Sequence, residues 1–254
     1  MRDVFRGVRA AFTFLTIIPV GGFPYSDGAW RWSAAWFPFV GTVLGLLGAL
    51  GFAALRPAGV WVAAFGAVAV TAFLTGAFHE DGLADSADAL GGAYSREKLF
   101  VILKDSRVGT YGALALVLTV GLRVAALTSL DDVAPVALVL THTLARTTPV
   151  WLMATIPYVT SSDTSKSRPV VRGSGPQAAL ATTTALALLA ILEAARELSW
   201  ATAAWSALTL LVAALLVSRI FIKRAGGITG DFLGASEQCN EVALLVMLAY
   251  LGLP

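Results

Sequence analysis

Long apolar runs separated by short polar stretches dominate the chain, and their length predicts membrane-spanning helices. A span needs about 20 predominantly apolar residues. The apolar runs lie at residues 34–55, 59–78, 112–130, 133–156, 176–196, 198–222 and 242–254. We therefore predict an all-α, polytopic integral membrane protein with about seven transmembrane helices. The last run is short, and it crosses a bilayer only if its helix begins before Glu241.

The N-terminal segment differs from these spans because it is shorter and more basic. Arg2, Arg6 and Arg9 precede or enter an apolar stretch at about residues 10–20, and no A-x-A-like cleavage site follows it. We predict a basic amphipathic or re-entrant segment that either spans the membrane or lies on it. No long linker divides the chain, so we predict a single integral membrane domain over residues 1–254.

Composition supports the membrane assignment and narrows the partners. Of the 254 residues, 57% are hydrophobic and 13% are charged, and the mean hydropathy is +0.77, whereas soluble domains carry about 25% charged residues. The net charge is only +2, so we expect the lipid bilayer and small molecules as partners and no nucleic acid. The single cysteine, Cys239, excludes an internal disulfide.

The distribution of basic residues predicts the orientation in the membrane. The segments on the N-terminal side of the predicted spans, at residues 1–33, 79–111, 157–176 and 219–241, hold 14 of the 18 lysines and arginines. The opposite side holds Arg56, Arg196 and, loosely, Arg123, while Arg146 lies within a span. By the positive-inside rule we predict a multi-pass protein of the cell membrane whose N-terminal side faces the cytoplasm. That side also holds 12 of the 16 acids, so the polar chemistry is expected at the cytoplasmic face.

An acidic stretch, HEDGLADSADAL at residues 79–90, directly follows an uncharged apolar run. Asp81, Asp85 and Asp88 stand at i, i+4 and i+7, which places three carboxylates on one face of a helix. Like charges this close favour a bound cation, and oxygen ligands suit Mg²⁺, with Mn²⁺ as an alternative. Acids at a positive helix end would be the structural alternative. His79 precedes the three aspartates and is a candidate for contact with substrate.

A second polar stretch, KDSRVGTYG at residues 104–112, precedes the third span. Lys104 and Arg107 are cations that can hold phosphates, and Gly109 allows backbone amides near a helix N-terminus to approach an anion. These residues predict a diphosphate-binding site, whereas a positive-inside anchor with a turn is the structural alternative.

A third polar stretch, GGITGDFLGASEQCNE at residues 226–241, leads into the last apolar run. Gly230 lies in a flexible turn, and Asp231, Gln238 and Glu241 share roughly one helical face. Polar residues at the start of a span are functional candidates. Arg146, inside the fourth span and four residues after His142, must meet an acid, a polar cavity or a phosphate.

Together these features indicate phosphoryl or nucleotidyl transfer at the membrane surface. A carboxylate-bound metal ion neutralises a diphosphate, and positioning and electrostatics provide most of the catalysis. An acceptor hydroxyl would attack one phosphorus, and a nucleoside monophosphate would leave.

The chain resembles the cobalamin synthase family, also called adenosylcobinamide-GDP ribazoletransferase. The stretches that carry the resemblance are FTFLTIIPV, FPFVGTVLG, FHEDGLADSADAL, KDSRVGTYGALAL and GGITGDFLGASEQCNE, and they cover nearly the whole chain. The resemblance implies a Mg²⁺-dependent membrane enzyme that joins adenosylcobinamide-GDP to α-ribazole, or its 5′-phosphate, and releases GMP. A homo-oligomer, or an association with other cobalamin-assembly enzymes, stays open.

The residues that match the family motifs are His79, Asp81, Gly82, Asp85, Asp88, Asp105, Ser106, Arg107, Gly109, Thr229, Gly230, Asp231, Gly234 and Glu241. Three residues depart from the family pattern. Ala89 stands where the family usually has Gly, Tyr111 stands where His is common, and Gln238 stands where the pattern has Glu. We therefore do not predict Gln238 as a metal ligand.

We predict Asp81, Asp85, Asp88 and Asp231 as metal ligands and Asp88 or His79 as the general base. Arg107 is predicted at the catalytic centre. Lys104, Arg107, Gly109, Arg146, Gly230 and Glu241 are predicted to bind substrate. A CDP-alcohol phosphotransferase is the nearest alternative, but Leu-Ala-Asp follows Gly82 where that family has x-x-Ala-Arg. A cation transporter is a second alternative, although its acids should lie near the bilayer midplane.

Overall fold

Helices make up most of the described chain. The computed structural model describes residues 2–159 and 173–252. Its helices are α1 (Arg2–Leu15), α2 (Asp27–Ser33), α3 (Phe37–Leu55), α4 (Val60–Thr75), α5 (Phe78–Gly92), α6 (Arg96–Ile102), α7 (Thr110–Leu130), α8 (Ala134–Ala145), α9 (Thr147–Thr155), α10 (Gly175–Ala194), α11 (Trp200–Ala225) and α12 (Gly230–Leu251). Four charged residues that contribute to the charge distribution given above lie outside the described residues: Asp163, Lys166, Arg168 and Arg172.

The prediction of an all-α polytopic membrane protein is confirmed. Four helical stretches are long and apolar enough to cross a membrane, or five if α4 and α5 form one bent span. Within the described residues the apolar runs found in the sequence lie mainly on helices, and α12 begins well before Glu241. The candidate spans are four or five where the sequence predicted about seven, because α7, α8 and α9 form one continuous stretch and α12 is not among the candidates. Large apolar side chains such as Leu118 on α7 and Leu215 on α11 are exposed, as expected for helices surrounded by lipid.

The N-terminal segment forms the short helix α1, in agreement with the amphipathic alternative. At 14 residues it extends about 21 Å, which is too short to cross a hydrocarbon core of about 30 Å. It packs against α2, and the Trp36 indole N–H donates a hydrogen bond of 2.7 Å to the Val4 carbonyl. This packing brings the C-terminal end of α1 next to α3.

The helices α3 and α8 cross in close contact because α3 presents glycines at the crossing. A Cβ atom on Gly45 would lie 2.6 Å from Val139 Cα, and one on Gly41 would collide with the His142 carbonyl. Small residues allow helix backbones to approach in this way within membranes. The contact places the buried residues His142 and Arg146 beside α3.

A sharp bend between α4 and α5 keeps the acidic stretch against the helix bundle. Gly76 and Ala77 both have positive φ angles, of 61° and 54°, and the Gly76 amide donates to the Phe73 carbonyl at 3.0 Å. The two helix axes differ by 90°. Consequently α5 lies across the bundle and packs on α7 and α12.

Replacing Gly45 with alanine should destabilise the protein by about 1–3 kcal/mol because the new methyl group overpacks the α3–α8 contact. The matched control is Gly121→Ala on α7, since a Cβ there meets no atom within 4 Å. Alanine at that position should leave the thermal unfolding midpoint unchanged or raise it, because alanine is the better helix former. Equal midpoints for the two detergent-purified variants would contradict the α3–α8 crossing.

Candidate active site

A cavity of about 370 Å³ lies where α1, α3, α5, α9 and α12 meet. Its polar lining consists of His79, Asp81, Arg146, Asp231 and Glu237. Gly82, Gly230 and Gly234 also line it. The first and third polar stretches of the sequence therefore meet at one cavity, although about 150 residues separate them in the chain.

A glycine contact between α5 and α12 brings these two stretches together. A Cβ atom on Gly82 would lie 2.9 Å from the Asp231 carbonyl oxygen, and one on Gly234 would lie 3.4 Å from the His79 carbonyl oxygen. Larger side chains at these glycines would separate the helices. The motif glycines thus act here by close packing, which sets Asp81 and Asp231 at the same cavity.

Three of the predicted metal ligands lie near one another without a cationic partner. Asp81 and Asp231 line the cavity, and Asp85, one turn along α5, interacts electrostatically with both. Among the described residues, no lysine, arginine or histidine forms an ion pair with any of these three carboxylates. Their ligand atoms do not all lie within 4.8 Å of one another. Carboxylate oxygens are donors that suit Mg²⁺ or Mn²⁺, so the donor chemistry of the three residues suits such an ion, and metal binding by them stays a prediction.

Asp88, the fourth predicted ligand, has a different environment. Its Oδ2 accepts a 2.7 Å hydrogen bond from the Gly109 amide, and its Oδ1 accepts one of 2.9 Å from the Gly112 amide. These amides belong to the N-terminus of α7, whose first N–H groups have no partner within the helix. The geometry therefore favours a capping function for Asp88 over the predicted functions as metal ligand and base.

The second polar stretch lies apart from the cavity lining. Lys104 and Arg107 are exposed, and Arg107 binds Asp105 at 2.6 Å. The hydrogen bonds from Arg107 lower the pKa of the Asp105 carboxyl to about 2, so this carboxylate is ionised at neutral pH and partly neutralises the arginine. Because the Gly109 amide binds Asp88, it is already engaged in this structure. The phosphate-binding functions of Lys104, Arg107 and Gly109 stay predictions.

Next to the cavity, six side chains form a closed set of polar contacts that we call the buried polar ring. Its members are Arg123 of α7, His142 of α8, Arg146 after α8, and Glu237, Gln238 and Glu241 of α12. All six are at most 2% exposed. A charge buried in this way requires a partner of opposite charge, and the ring supplies one to each of its arginines.

One half of the ring joins α7 and α8 to the middle of α12. Arg123 Nη2 lies 2.7 Å from Glu241 Oε1, and Glu241 Oε2 lies 3.1 Å from His142 Nδ1. Arg123 also reaches Glu80 of α5 at 3.2 Å. Arg123 is therefore inside the protein and not on the outer side, where the sequence loosely placed it. Glu241, predicted to bind substrate, pairs with these two residues and is fully buried.

The other half of the ring leads to the cavity. Arg146 Nη1 lies 2.8 Å from Glu237 Oε1 and 3.1 Å from His142 Nδ1. The Gln238 amide donates a 3.0 Å hydrogen bond to Glu237 Oε2 and accepts one of 3.3 Å from Arg123. The departure from Glu at position 238 thus provides a neutral side chain that can both donate and accept. Arg146 and Glu237 line the cavity and connect it to the ring.

Sequence reasoning missed Arg123 and Glu237 as members of this site. The sequence contained a signal for this pairing of basic and acidic side chains. His142 and Arg146 are four residues apart, and so are Glu237 and Glu241. Two such pairs of opposite charge on apolar helices can face each other. Which helix faces which, however, depends on the tertiary arrangement.

Comparison with known proteins agrees with this arrangement of motifs. The family model described as cobalamin-5-phosphate synthase matches residues 7–249. The chain belongs to the cobalamin-5-phosphate synthase family. The resemblance predicted from the motifs is therefore confirmed, and neither a CDP-alcohol phosphotransferase nor a cation transporter is supported.

Members of the cobalamin-5-phosphate synthase family resemble this chain over almost its whole length. Three relatives are named adenosylcobinamide-GDP ribazoletransferase. The Leptothrix cholodnii protein is 40% identical, with 95% of this chain and 92% of the relative covered. The Bradyrhizobium diazoefficiens protein is 37% identical, with 98% and 95% covered, and a Vibrio cholerae protein is 37% identical, with 95% and 92% covered. No solved structure matches the chain significantly.

Replacing Arg123 with methionine should destabilise this family member by about 3–5 kcal/mol, because Glu241 would lose the strongest of its buried partners. The double variant Arg123→Met, Glu241→Leu should recover much of that loss. The free energy of unfolding in detergent measures both effects.

Arg56→Met is the matched control for this substitution. Arg56 pairs with Asp131 at 2.5 Å, but the two side chains are 40% and 46% exposed, so its loss should cost at most about 1 kcal/mol. A double variant as unstable as Arg123→Met alone would contradict the pairing of Arg123 with Glu241.

Proposed function

We propose that this protein transfers a cobinamide phosphate from adenosylcobinamide-GDP to α-ribazole, or to α-ribazole 5′-phosphate, and releases GMP. The products would be adenosylcobalamin, or its 5′-phosphate, and GMP. Family membership and the names of the relatives support the reaction. The observation that carries the assignment of the site is that Asp81 and Asp231 line one cavity, that Asp85 interacts electrostatically with both, and that none of the three has an ion-pair partner among the described residues.

In this proposal Asp81, Asp85 and Asp231 would hold Mg²⁺, with Mn²⁺ as an alternative. When bound, the ion supplies charge neutralisation for the diphosphate and for the departing GMP. The three aspartates come from two helices fixed against each other by Gly82 and Gly234. Rigid helices of this kind hold catalytic groups more precisely than loops do.

The bond changes follow from the two substrates. A hydroxyl oxygen of the acceptor forms a bond to the phosphorus on the cobinamide side, and the P–O bond to the GMP phosphate breaks. His79 would take the hydroxyl proton, because it lines the cavity and its Nδ1 has no hydrogen-bond partner within residues 2–159 and 173–252. Arg146, held by Glu237 at the cavity, would orient a phosphate oxygen.

The active face is proposed to be cytoplasmic. The helix α5, with its aspartates, leads into α6 and into a loop that carries Lys104 and Arg107. Basic residues near span ends favour the cytoplasmic side. The same orientation would bring water-soluble GDP-linked substrate to the cavity from the cytoplasm.

Asp85→Asn should lower GMP release by at least about 100-fold at saturating substrates, because one charged ligand of the metal ion is lost. Asp132→Asn is the matched control, since Asp132 is exposed at the end of α7 far from the acidic stretch. The assay uses detergent-purified protein, adenosylcobinamide-GDP and α-ribazole. Chelation should abolish the release of GMP and added Mg²⁺ should restore it. Unchanged turnover in Asp85→Asn would refute its assignment as a ligand.

Asp88→Asn separates a capping function from metal binding. Asparagine retains one acceptor oxygen, so the N-terminus of α7 should lose about 1 kcal/mol of stability. The Mg²⁺ concentration that gives half-maximal GMP release should stay close to the wild-type value. A marked increase in that concentration, without loss of thermal stability, would restore Asp88 as a metal ligand.

A further inference from the structure

One wall of the cavity is aromatic, which the metal and phosphate chemistry does not require. Phe14 of α1, Phe37 of α3 and Phe78 of α5 line the cavity together with Pro149 and Met153 of α9. The Phe14 and Phe37 rings are parallel with centroids 5.8 Å apart, and Phe14 meets Phe78 edge-to-face at 5.4 Å. This wall suits a flat, apolar part of a ligand.

A buried polar group without a partner lies beside this wall. His79 is 4% exposed, its ring meets the Phe78 ring at 5.4 Å, and its Nδ1 lacks a hydrogen-bond partner among the described residues. A buried nitrogen without a hydrogen bond is costly. A ligand with a hydroxyl group would satisfy it. Apolar walls with a few converging polar groups are typical of small-molecule sites.

The size of the cavity distinguishes between the two substrates of the proposed reaction. At about 370 Å³ it lies near the lower end of ligand pockets, which span about 300–1,000 Å³. A nucleoside of dimethylbenzimidazole has this scale, whereas the corrin macrocycle with its side chains and nucleotide is several times larger. The smaller molecule can therefore be enclosed as a whole, whereas the corrin macrocycle cannot.

We propose that this cavity is the binding site of the acceptor nucleoside, with its base against the Phe14–Phe37–Phe78 wall and its sugar hydroxyl toward His79. The larger, GDP-linked substrate would then approach from the open side, with its diphosphate at Asp81 and Asp231. This inference rests on the proposed function and adds the position of one substrate. It also makes α1 part of the active site, because Phe14 and Leu15 line the cavity.

The test compares the two KM values. Phe78 is 43% exposed, so Phe78→Ala removes part of the wall with limited loss of packing. The KM for α-ribazole should rise about tenfold, as expected for the loss of one aromatic contact, while the KM for adenosylcobinamide-GDP should stay unchanged. Phe65→Ala is the matched control, since Phe65 lies on α4, is 55% exposed and does not line the cavity.

A second variant reduces the cavity instead of enlarging it. Met153→Trp should lower kcat/KM for the dimethylbenzimidazole nucleoside more than for the unsubstituted benzimidazole nucleoside, because the larger base no longer fits. Calorimetric titration of α-ribazole into each purified variant gives a readout independent of turnover. Phe78→Ala and Met153→Trp should both bind α-ribazole more weakly than the wild type does.

The outcomes separate the two proposals. GMP release by the wild type, with both variants affecting only the KM for adenosylcobinamide-GDP or both KM values equally, would overturn the acceptor site and leave the proposed reaction standing. Absence of GMP release by the folded wild type with both substrates and Mg²⁺ would overturn the proposed reaction and, with it, this inference.

Discussion

Two arginines buried among apolar helices determine where α12 lies. Arg123 and Arg146 can remain charged inside the protein only when carboxylates compensate them, and Glu241 and Glu237 are the acids that do so. Each ion pair joins α12 to a different neighbour. The first half of α12 is polar. It is tolerated within the bundle because the neighbouring helices supply partners for its polar side chains.

The position of α12 in turn determines the candidate active site. With α12 held by the buried polar ring, its Gly234 meets Gly82 of α5, and the aspartates of both helices reach one cavity. The ring ends at Arg146 and Glu237, which line that cavity. Arg146 and Glu237 therefore belong both to the contacts that stabilise the fold and to the candidate site. The ring lies next to carboxylates that have no cationic partner among the described residues.

The proposed location at a membrane surface would suit the two halves of this site. The carboxylates and His79 can contact polar groups of a ligand, whereas the phenylalanines of α1, α3 and α5 provide an apolar wall. The short helix α1 contributes to that wall, although by length it cannot span a bilayer. The proposed reaction would use an open side for the large corrinoid substrate and an enclosed space for the small nucleoside.

The sequence by itself determined the helices and the candidate residues for chemistry, whereas the tertiary structure decided their partners. Apolar runs of sufficient length become helices because unpaired backbone groups are too costly in lipid, so their existence is a local property. The aspartates at i and i+4 share a face for an equally local reason. The capping of α7 by Asp88, the pairing of Arg123 with Glu241 and the ring contact of Phe14 with Phe37 join segments far apart in the chain. They depend on how the helices cross, and that is set by glycine contacts and buried charges on several helices at once.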